Sequence, residues 1–301
     1  MTTAGSPAVN ASAARPLQGG RRLSLSWLGI VPFGLYIGLF LLLPTGIIAA
    51  GSFVNPTGGI DLSNFTSINQ PFIITSFTNS LAVSAISALV GAFAGALLAY
   101  AVVTGSPNGI LRRSVTSAAG VLAQFGGVAL AFSFIATLGT VGFVTLFLQN
   151  LGINIFPNGV WLYELSGITL IYLYFQIPLM VLVFLPALDG VRPQWREATE
   201  SLGGGTWHYW RYVAGPLLAP SFLGCTLLLF ANAFSAYATA AVLITQGGVI
   251  VPLEIQHVLV SEVGRTQPGL AKALALSMIV IVAVVMMLYS LLQRRTSRWL
   301  R

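Results

Sequence analysis

Pro193-Gln194-Trp195-Arg196-Glu197-Ala198-Thr199-Glu200-Ser201-Leu202-Gly203-Gly204-Gly205-Thr206-Trp207-His208-Tyr209-Trp210-Arg211-Tyr212-Val213-Ala214-Gly215-Pro216 is the one long polar island in the second half of an apolar chain. It reads as two short helices joined by a bend. Pro193 suits a first helical turn, where its missing N–H leaves nothing unsatisfied. Gly203 to Gly205 stop that helix, because glycine takes the left-handed C′ conformation without steric cost. Thr206 is positioned to cap a second short helix over 207–212. Gly215-Pro216 then ends it and opens the next apolar run.

Working outward, apolar runs flank the island on both sides. The chain has 301 residues, of which only 7% are charged and 56% hydrophobic. Soluble domains carry about 25% charged residues, so this composition indicates an integral membrane protein. About 20 apolar residues cross the hydrocarbon, and six such spans are legible: Ser26–Ala50, Ser80–Val103, Ser114–Leu138, Ile168–Leu188, Pro216–Ile244 and Leu270–Gln293. Asn79 reads as a cap for the second span, and Pro178 and Pro186 as kinks in the fourth. Residues 1–22 read as a disordered cytoplasmic tail, followed by a single transmembrane domain over 23–301. The first apolar run is longer than the h-region of a signal peptide, which points to a retained first helix.

Basic residues set the orientation. Arg15, Arg21, Arg22, Arg112, Arg113, Arg192, Arg196, Arg211, Arg294, Arg295, Arg298 and Arg301 fall on one side; Arg265 and Lys272 fall on the other. Six spans put both termini on the arginine-rich side, which is therefore expected to be cytoplasmic. The net charge of +7 is thus topological; it suits anionic membrane lipid and argues against nucleic acid.

Two rows of small residues mark the second span: Ser84, Ala88, Ala92, Ala96 and Ser87, Gly91, Gly95, Ala99. Each lies on one face, so a neighbouring helix, within the chain or in a partner, can approach closely. Residues 141–151 and 252–262 read as short helices at the outer boundary.

The chain carries little covalent chemistry. There is no phosphate-binding Gly-x-x-x-x-Gly-Lys-[Ser/Thr] loop, so ATP hydrolysis by that route is excluded. His208 and His257 lie on opposite sides and share no metal. Cys225 has no intrachain partner. No hydrolase or metalloprotease pattern is present, and no cofactor or metal site is expected. The polar residues within spans are neutral: Gln124, Gln176, Asn232, Ser235, Tyr237 and Thr239. Asn232, Ser235 and Thr239 fall on one helical face; they either line a solute path or hydrogen-bond the bundle together. The lack of buried charge argues against a proton-driven carrier.

The island resembles the "EAA" signature of binding-protein-dependent ABC importer permeases. Glu197, Ala198, Gly203, Val213 and Pro216 fall in its register, while Thr199 replaces an alanine and Gly215 a leucine. Phe175-Gln176-Ile177-Pro178 is similar to the fourth helix of those proteins. The resemblance implies an all-α integral membrane fold, with six transmembrane helices and a cytoplasmic coupling-helix loop between helices 4 and 5. It implies an ATPase-docking surface at Glu197, Ala198, Thr199, Gly203 and Pro216, with Glu197 as polar anchor, Ala198 permitting close approach and Gly203 making the bend. It also implies a non-catalytic permease subunit in a bacterial inner membrane. Its partners would be a dimer of ATP-binding cassette subunits holding the ATP and magnesium, a second permease chain or a second copy, and an extracytoplasmic solute-binding protein. The layout looks most like spermidine/putrescine permeases; aminoethylphosphonate, thiamine and ferric-iron permeases share much of it. A loop without docking role, in a stand-alone secondary carrier or channel or in a membrane scaffold, is the competing reading.

Overall fold

The computed structural model describes residues 26–54, 58–105, 109–157, 159–244, 249–260 and 267–296. The expected tail over 1–22 lies outside them. The chain divides into two units, Met1–Ile47 and Ile48–Arg301. The first holds α1 (Ser26–Ile37), a π-helical turn, Gly38–Leu42, and the start of α2 (Leu43–Gly51), whose last residues belong to the second.

The second unit continues through α3 (Ser63–Thr66), α4 (Pro71–Thr104), α5 (Ile110–Gln124), α6 (Gly127–Leu138) and α7 (Phe143–Asn150). After a 3₁₀ turn at Trp161–Tyr163 come α8 (Leu165–Asp189), α9 (Pro193–Ser201), α10 (Thr206–Tyr209) and α11 (Gly215–Phe234). The last three are α12 (Ala238–Leu243), α13 (Val251–Val260) and α14 (Pro268–Thr296). Among the described residues, six helical stretches are long and apolar enough to cross a membrane. Helices suit that solvent because each backbone donor finds its acceptor within the segment.

The frame is the pair α4 and α8. Ser87, Gly91, Gly95 and Ala99 lie on the side of α4 that packs with α8, and the two glycines leave little or no room for a side chain. A Cβ on Gly91 would stand 3.0 Å from Gln176 Cβ, and one on Gly95 2.5 Å from Met180 Cβ and 2.7 Å from Ile177 O. Ala88 and Ala92, from the other row, are buried in a cluster with Met180, Leu218 and Leu229, where α11 completes the packing. Both small-residue rows therefore serve packing inside this chain. Ala119 of α5 joins the same cluster, and Arg112 forms an ion pair with Asp189 at the end of α8.

Several boundaries differ from the sequence reading, each for a local reason. The second span begins at Pro71, so Asn79 lies inside α4 rather than capping it; its side chain donates to Val249 O at 3.0 Å. The third expected span is two helices separated at Phe125-Gly126, with Gly127 at φ +70°. By length and composition the corresponding crossing is Gly127–Asn150. The fifth expected span breaks after Phe234 and resumes at Ala238. Thr206 is the first residue of its helix, capped by Gly205 rather than by its own side chain. Nor does Gly215-Pro216 stop that helix: Thr206–Phe234 runs as one helical stretch. The α8 helix also continues through both Pro178 and Pro186.

The close approach of α4 and α8 makes a paired prediction. Gly95→Ala, whose Cβ meets backbone and Met180, is expected to lower stability by about 1–3 kcal/mol through overpacking. Gly120→Ala, with nothing within 4 Å, is expected to be neutral or slightly stabilising. Thermal unfolding of the two purified variants in one detergent checks the difference.

Candidate functional site

Two places in the second unit bring the sequence-selected residues together: the loop between α8 and α11, and a cavity where two interrupted helices meet.

In the loop, α9 buries no residue. Glu197 and Ala198 are exposed and Thr199 is half-buried. The end of α9 is a two-bond glycine stop: Gly203 N–H donates to Glu200 O and Gly204 N–H to Thr199 O, both at 2.9 Å. Gly203 takes φ +78°, the left-handed conformation that this stop requires. A Cβ on Gly204 would lie 2.8 Å from Thr199 Cγ2. The threonine therefore fits because the residue against it has no side chain. Its hydroxyl donates to Trp195 O at 2.8 Å, and Arg196 pairs with Glu200 across one turn.

Beyond the bend, the chain is anchored. Tyr209, Trp210 and buried Ala214 pack with Leu188, Leu218 and Val181. A π-helical turn at Trp210–Ala214 joins α10 to α11. An exposed, polar helix thus hangs from a buried helical connection. Pro216 lies exposed in the first turn of α11.

A cavity of about 270 Å³ lies where the Phe125-Gly126 break faces the Ser235–Tyr237 break. Asn232, Ser235, Tyr237 and Thr239 line it, with Gly126, Gly127 and Phe175. The two breaks are tied to each other and to the frame. Thr239 Oγ1 donates to Gly127 O at 3.3 Å, and Tyr172 Oη donates to Ala236 O at 2.8 Å. Ser235 turns its hydroxyl back to Ala231 O at 2.9 Å. The glycine pair in the third span signals its break; Phe234 to Tyr237 carries no glycine or proline and gave no such signal. The arrangement offers neutral hydrogen-bonding groups and two aromatic rings, with no charged side chain in the lining.

Two selected residues lie elsewhere. Gln124 is exposed at the end of α5 and is not part of the cavity lining. Gln176 is fully buried between α4 and α8, where Nε2 donates to Ser87 Oγ at 2.7 Å. Its Oε1 has no partner among the described residues.

Two polar groups are buried that the sequence reading did not place in the interior. Asn64 donates to Ser52 O at 3.0 Å and Val54 O at 2.9 Å, closing the connection that follows α2. Glu254 of α13 is 2% exposed. Burial pushes its carboxyl above the usual value, and His257 draws it partly back. Among the described residues no three His, Cys, Asp or Glu side chains are grouped to hold a metal ion.

Comparison with known proteins follows the same lines. Residues 143–298, just over half of the chain, match the family described as "Binding-protein-dependent transport system inner membrane component". The thiamine transport system permease protein ThiP of Escherichia coli K12 is 28% identical over 111 residues, which is 36% of this chain and 20% of that protein. FbpB 1 of Haemophilus influenzae, named for ferric transport, is 27% identical over 233 residues, 75% of this chain and 35% of that protein. The chain thus spans only a fifth to about a third of the length of these curated relatives. In fold it matches a bacterial ABC transporter involved in import of the acidic polysaccharide alginate. That match has a TM-score of 0.71 at 16% identity, covering 90% of this chain and 95% of that one. The MetNI methionine ABC transporter matches with TM-score 0.56 at 13% identity, covering 75% of this chain and 96% of that one.

Two measurements probe these sites. Gly203→Val forces a β-branched residue to a positive φ and is expected to cost about 1–3 kcal/mol of local structure. Hydrogen exchange at Leu202 to Gly205 should rise while α4 and α8 remain protected. The second concerns Glu254, whose folded value lies above the ordinary 4.5. Its contribution to stability is fully present below about pH 4.5 and lost as pH rises through the folded value. Glu254→Gln is expected to remove that slope in melting temperature against pH.

Proposed function

The chain belongs to the family of binding-protein-dependent transport system inner membrane components, and on that premise we propose that it is the transmembrane permease subunit of an ATP-driven ABC importer. It is a multi-pass inner-membrane protein, and in this reading both termini are cytoplasmic. The observation that carries the proposal is mechanical. The exposed helix α9 is joined by a tight glycine stop to a segment continuous with α11 and packed against α8. A push on α9 would be delivered to two membrane-crossing helices at once.

In this reading α9 is the coupling helix. Glu197 is its polar anchor, and Ala198 and Thr199 keep its surface low enough for a partner's groove to close on it. Gly203 sets the angle between α9 and α10, and Pro216 begins the driven helix. A dimer of ATP-binding cassette subunits would bind ATP and magnesium and hydrolyse the nucleotide. A second permease chain, or a second copy, would complete the path, and an extracytoplasmic binding protein would supply solute. The cavity lined by Asn232, Ser235, Tyr237 and Thr239 is proposed as a segment of that path; the burial of Gln176 favours a packing role for it.

The solute reading moves from polyamines, to which the sequence leaned, to thiamine or ferric iron. The names of the relatives support this. Both solutes are cationic, which suits exposed carboxylates on the expected outer side at Asp61 and Glu164; Glu254, which the sequence counts with them, is buried in α13.

The test is purification from the native membrane in mild detergent with mass spectrometry of what accompanies the chain. An ATPase subunit is expected with the wild type. Ala198→Arg, at an exposed position that folding does not use, is expected to reduce its recovery about ten-fold, the equivalent of ~1.4 kcal/mol. Recovery of the chain alone, with undiminished solute flux after reconstitution, would make it a stand-alone carrier.

A further inference from the structure

The cavity at the two helix breaks has a lining whose hydrogen-bonding character is already fixed. Asn232, Ser235 and Tyr237 are exposed there, whereas Phe175 and Thr239 are buried in its wall. A hydroxyl has one proton and two acceptor lone pairs. Ser235 directs its proton to Ala231 O at 2.9 Å, shared with Asn232 O at 3.2 Å. Thr239 directs its proton to Gly127 O at 3.3 Å. Both hydroxyl oxygens therefore meet a ligand as acceptors. Asn232 adds an amide and Tyr237 a phenol, each able to donate or accept.

The rest of the wall is aromatic or small. Phe175 stands 5.4 Å from Tyr172 between ring centres, and Tyr172 in turn donates to Ala236 O, so the aromatic side is anchored to the break itself. Gly126, Gly127 and Ala238 leave a flat ring room to approach. Helix ends of both signs meet here: α5 and α11 end at the cavity, and α6 and α12 begin there. Their dipoles offset one another in part, which leaves the preference to the side chains. The volume of about 270 Å³ is just under the ~300 Å³ at which small-molecule pockets begin. It accommodates one ring system rather than a metal chelate with several carboxylate arms.

We propose that this cavity takes a flat, positively charged nitrogen heterocycle bearing an amino or amide N–H group, and that Tyr237 and Asn232 set the preference. The ring lies against Tyr237 and Phe175, and its N–H group donates to the Ser235 or Thr239 oxygen. A bare ferric ion would leave water for a lining without a carboxylate, at a desolvation cost that nothing there offsets. The ammonium groups of a polyamine are compact and strongly hydrated. A heterocyclic cation spreads its charge over a ring, which an aromatic face attracts. The inference rests on the reading of this cavity as part of the solute path, and it chooses the organic cation over the metal ion.

The experiment is equilibrium dialysis of the full-length chain in phosphatidylcholine nanodiscs, with no ATPase, binding protein or nucleotide present. The probes are thiamine, a methylpyridinium carboxamide, spermidine and ferric citrate, each corrected for empty discs. The two ring cations are expected to bind about five-fold more tightly than the other two, equivalent to the ~1 kcal/mol of one cation–π contact. Tyr237→Leu is expected to bring that ratio to about one, and Tyr237→Phe to preserve it. Asn232→Leu is expected to weaken both ring cations about five-fold, as for one lost hydrogen bond. Size-exclusion profiles identify any variant that fails to fold. Equal binding of all four probes by wild type would overturn the proposal. So would no binding of either ring cation, tighter binding of spermidine or ferric citrate, or an unchanged ratio in folded Tyr237→Leu. Any of these results alongside an ATPase that co-purifies with the chain removes the solute class and leaves the importer. A ring-cation preference in a chain that brings down no ATPase does the reverse.

Discussion

Helices in hydrocarbon gain nothing from hiding apolar surface from one another, so their association depends on close packing and a few polar ties. The contact of α4 with α8 supplies both. Gly95 lets Met180 come within a distance that a Cβ would forbid, Gly91 lets Gln176 come to one that a Cβ would crowd, and the Gln176–Ser87 hydrogen bond fixes the register at the same level. The remaining elements of the second unit take their places from this pair. The α11 helix packs on it through Leu218 and Leu229, and α5 through Ala119. The α13 helix is held to α4 by the Ser80 hydroxyl, which accepts from Val251 N–H at 2.8 Å.

A rigid pair makes irregular backbone affordable beside it. Interrupted helices persist at membrane depth only where protein or a water-filled cavity satisfies the freed groups. Here one break answers the other: Thr239, just past the second, donates to the carbonyl of Gly127, just past the first. Tyr172, from the frame, fixes Ala236 between them. Ser235 satisfies a carbonyl of its own helix end. What remains open is a small polar space, lined by neutral groups, at the only breaks in the third and fifth expected spans among the described residues.

The legible parts of this chain were those in which one residue type decides the matter locally. Apolar run length gave six crossings, small-residue spacing gave the face of α4 that meets a neighbour, and Gly203 gave the left-handed stop of α9. The parts that were not legible depend on pairs distant in sequence. Asn79 has the composition of a cap, yet α4 begins eight residues earlier, and its side chain instead reaches Val249. Asn232, Ser235 and Thr239 share a face only on an unbroken helix; the break after Phe234 instead gathers them around a cavity together with Gly126 and Phe175. Gln176 looks the same in sequence whether it faces solute or a serine on another helix. Only the position of Ser87, 89 residues away, separates the two.

The junction of loop and membrane helix shows how one substitution in a pattern can serve a structure rather than weaken it. Proline within a helix lacks an N–H and crowds the carbonyl four residues back, so Pro216 should interrupt the connection from α10 to α11. The chain instead widens by one residue per turn at Trp210–Ala214, and Gly215 N–H donates to Trp210 O, five residues back. A Cβ on Gly215 would lie only 2.4 Å from that oxygen. The leucine of the resembled pattern could not close this turn in the same way. Gly215, which in sequence reads as a stop, is therefore the residue that allows helical structure to continue from Thr206 to Phe234. With that continuity, displacement of the loop's second half is displacement of α11 itself, and the cavity at the far end of α11 lies within reach of it. The exposed helix, the wide turn and the polar break are three positions along a single element.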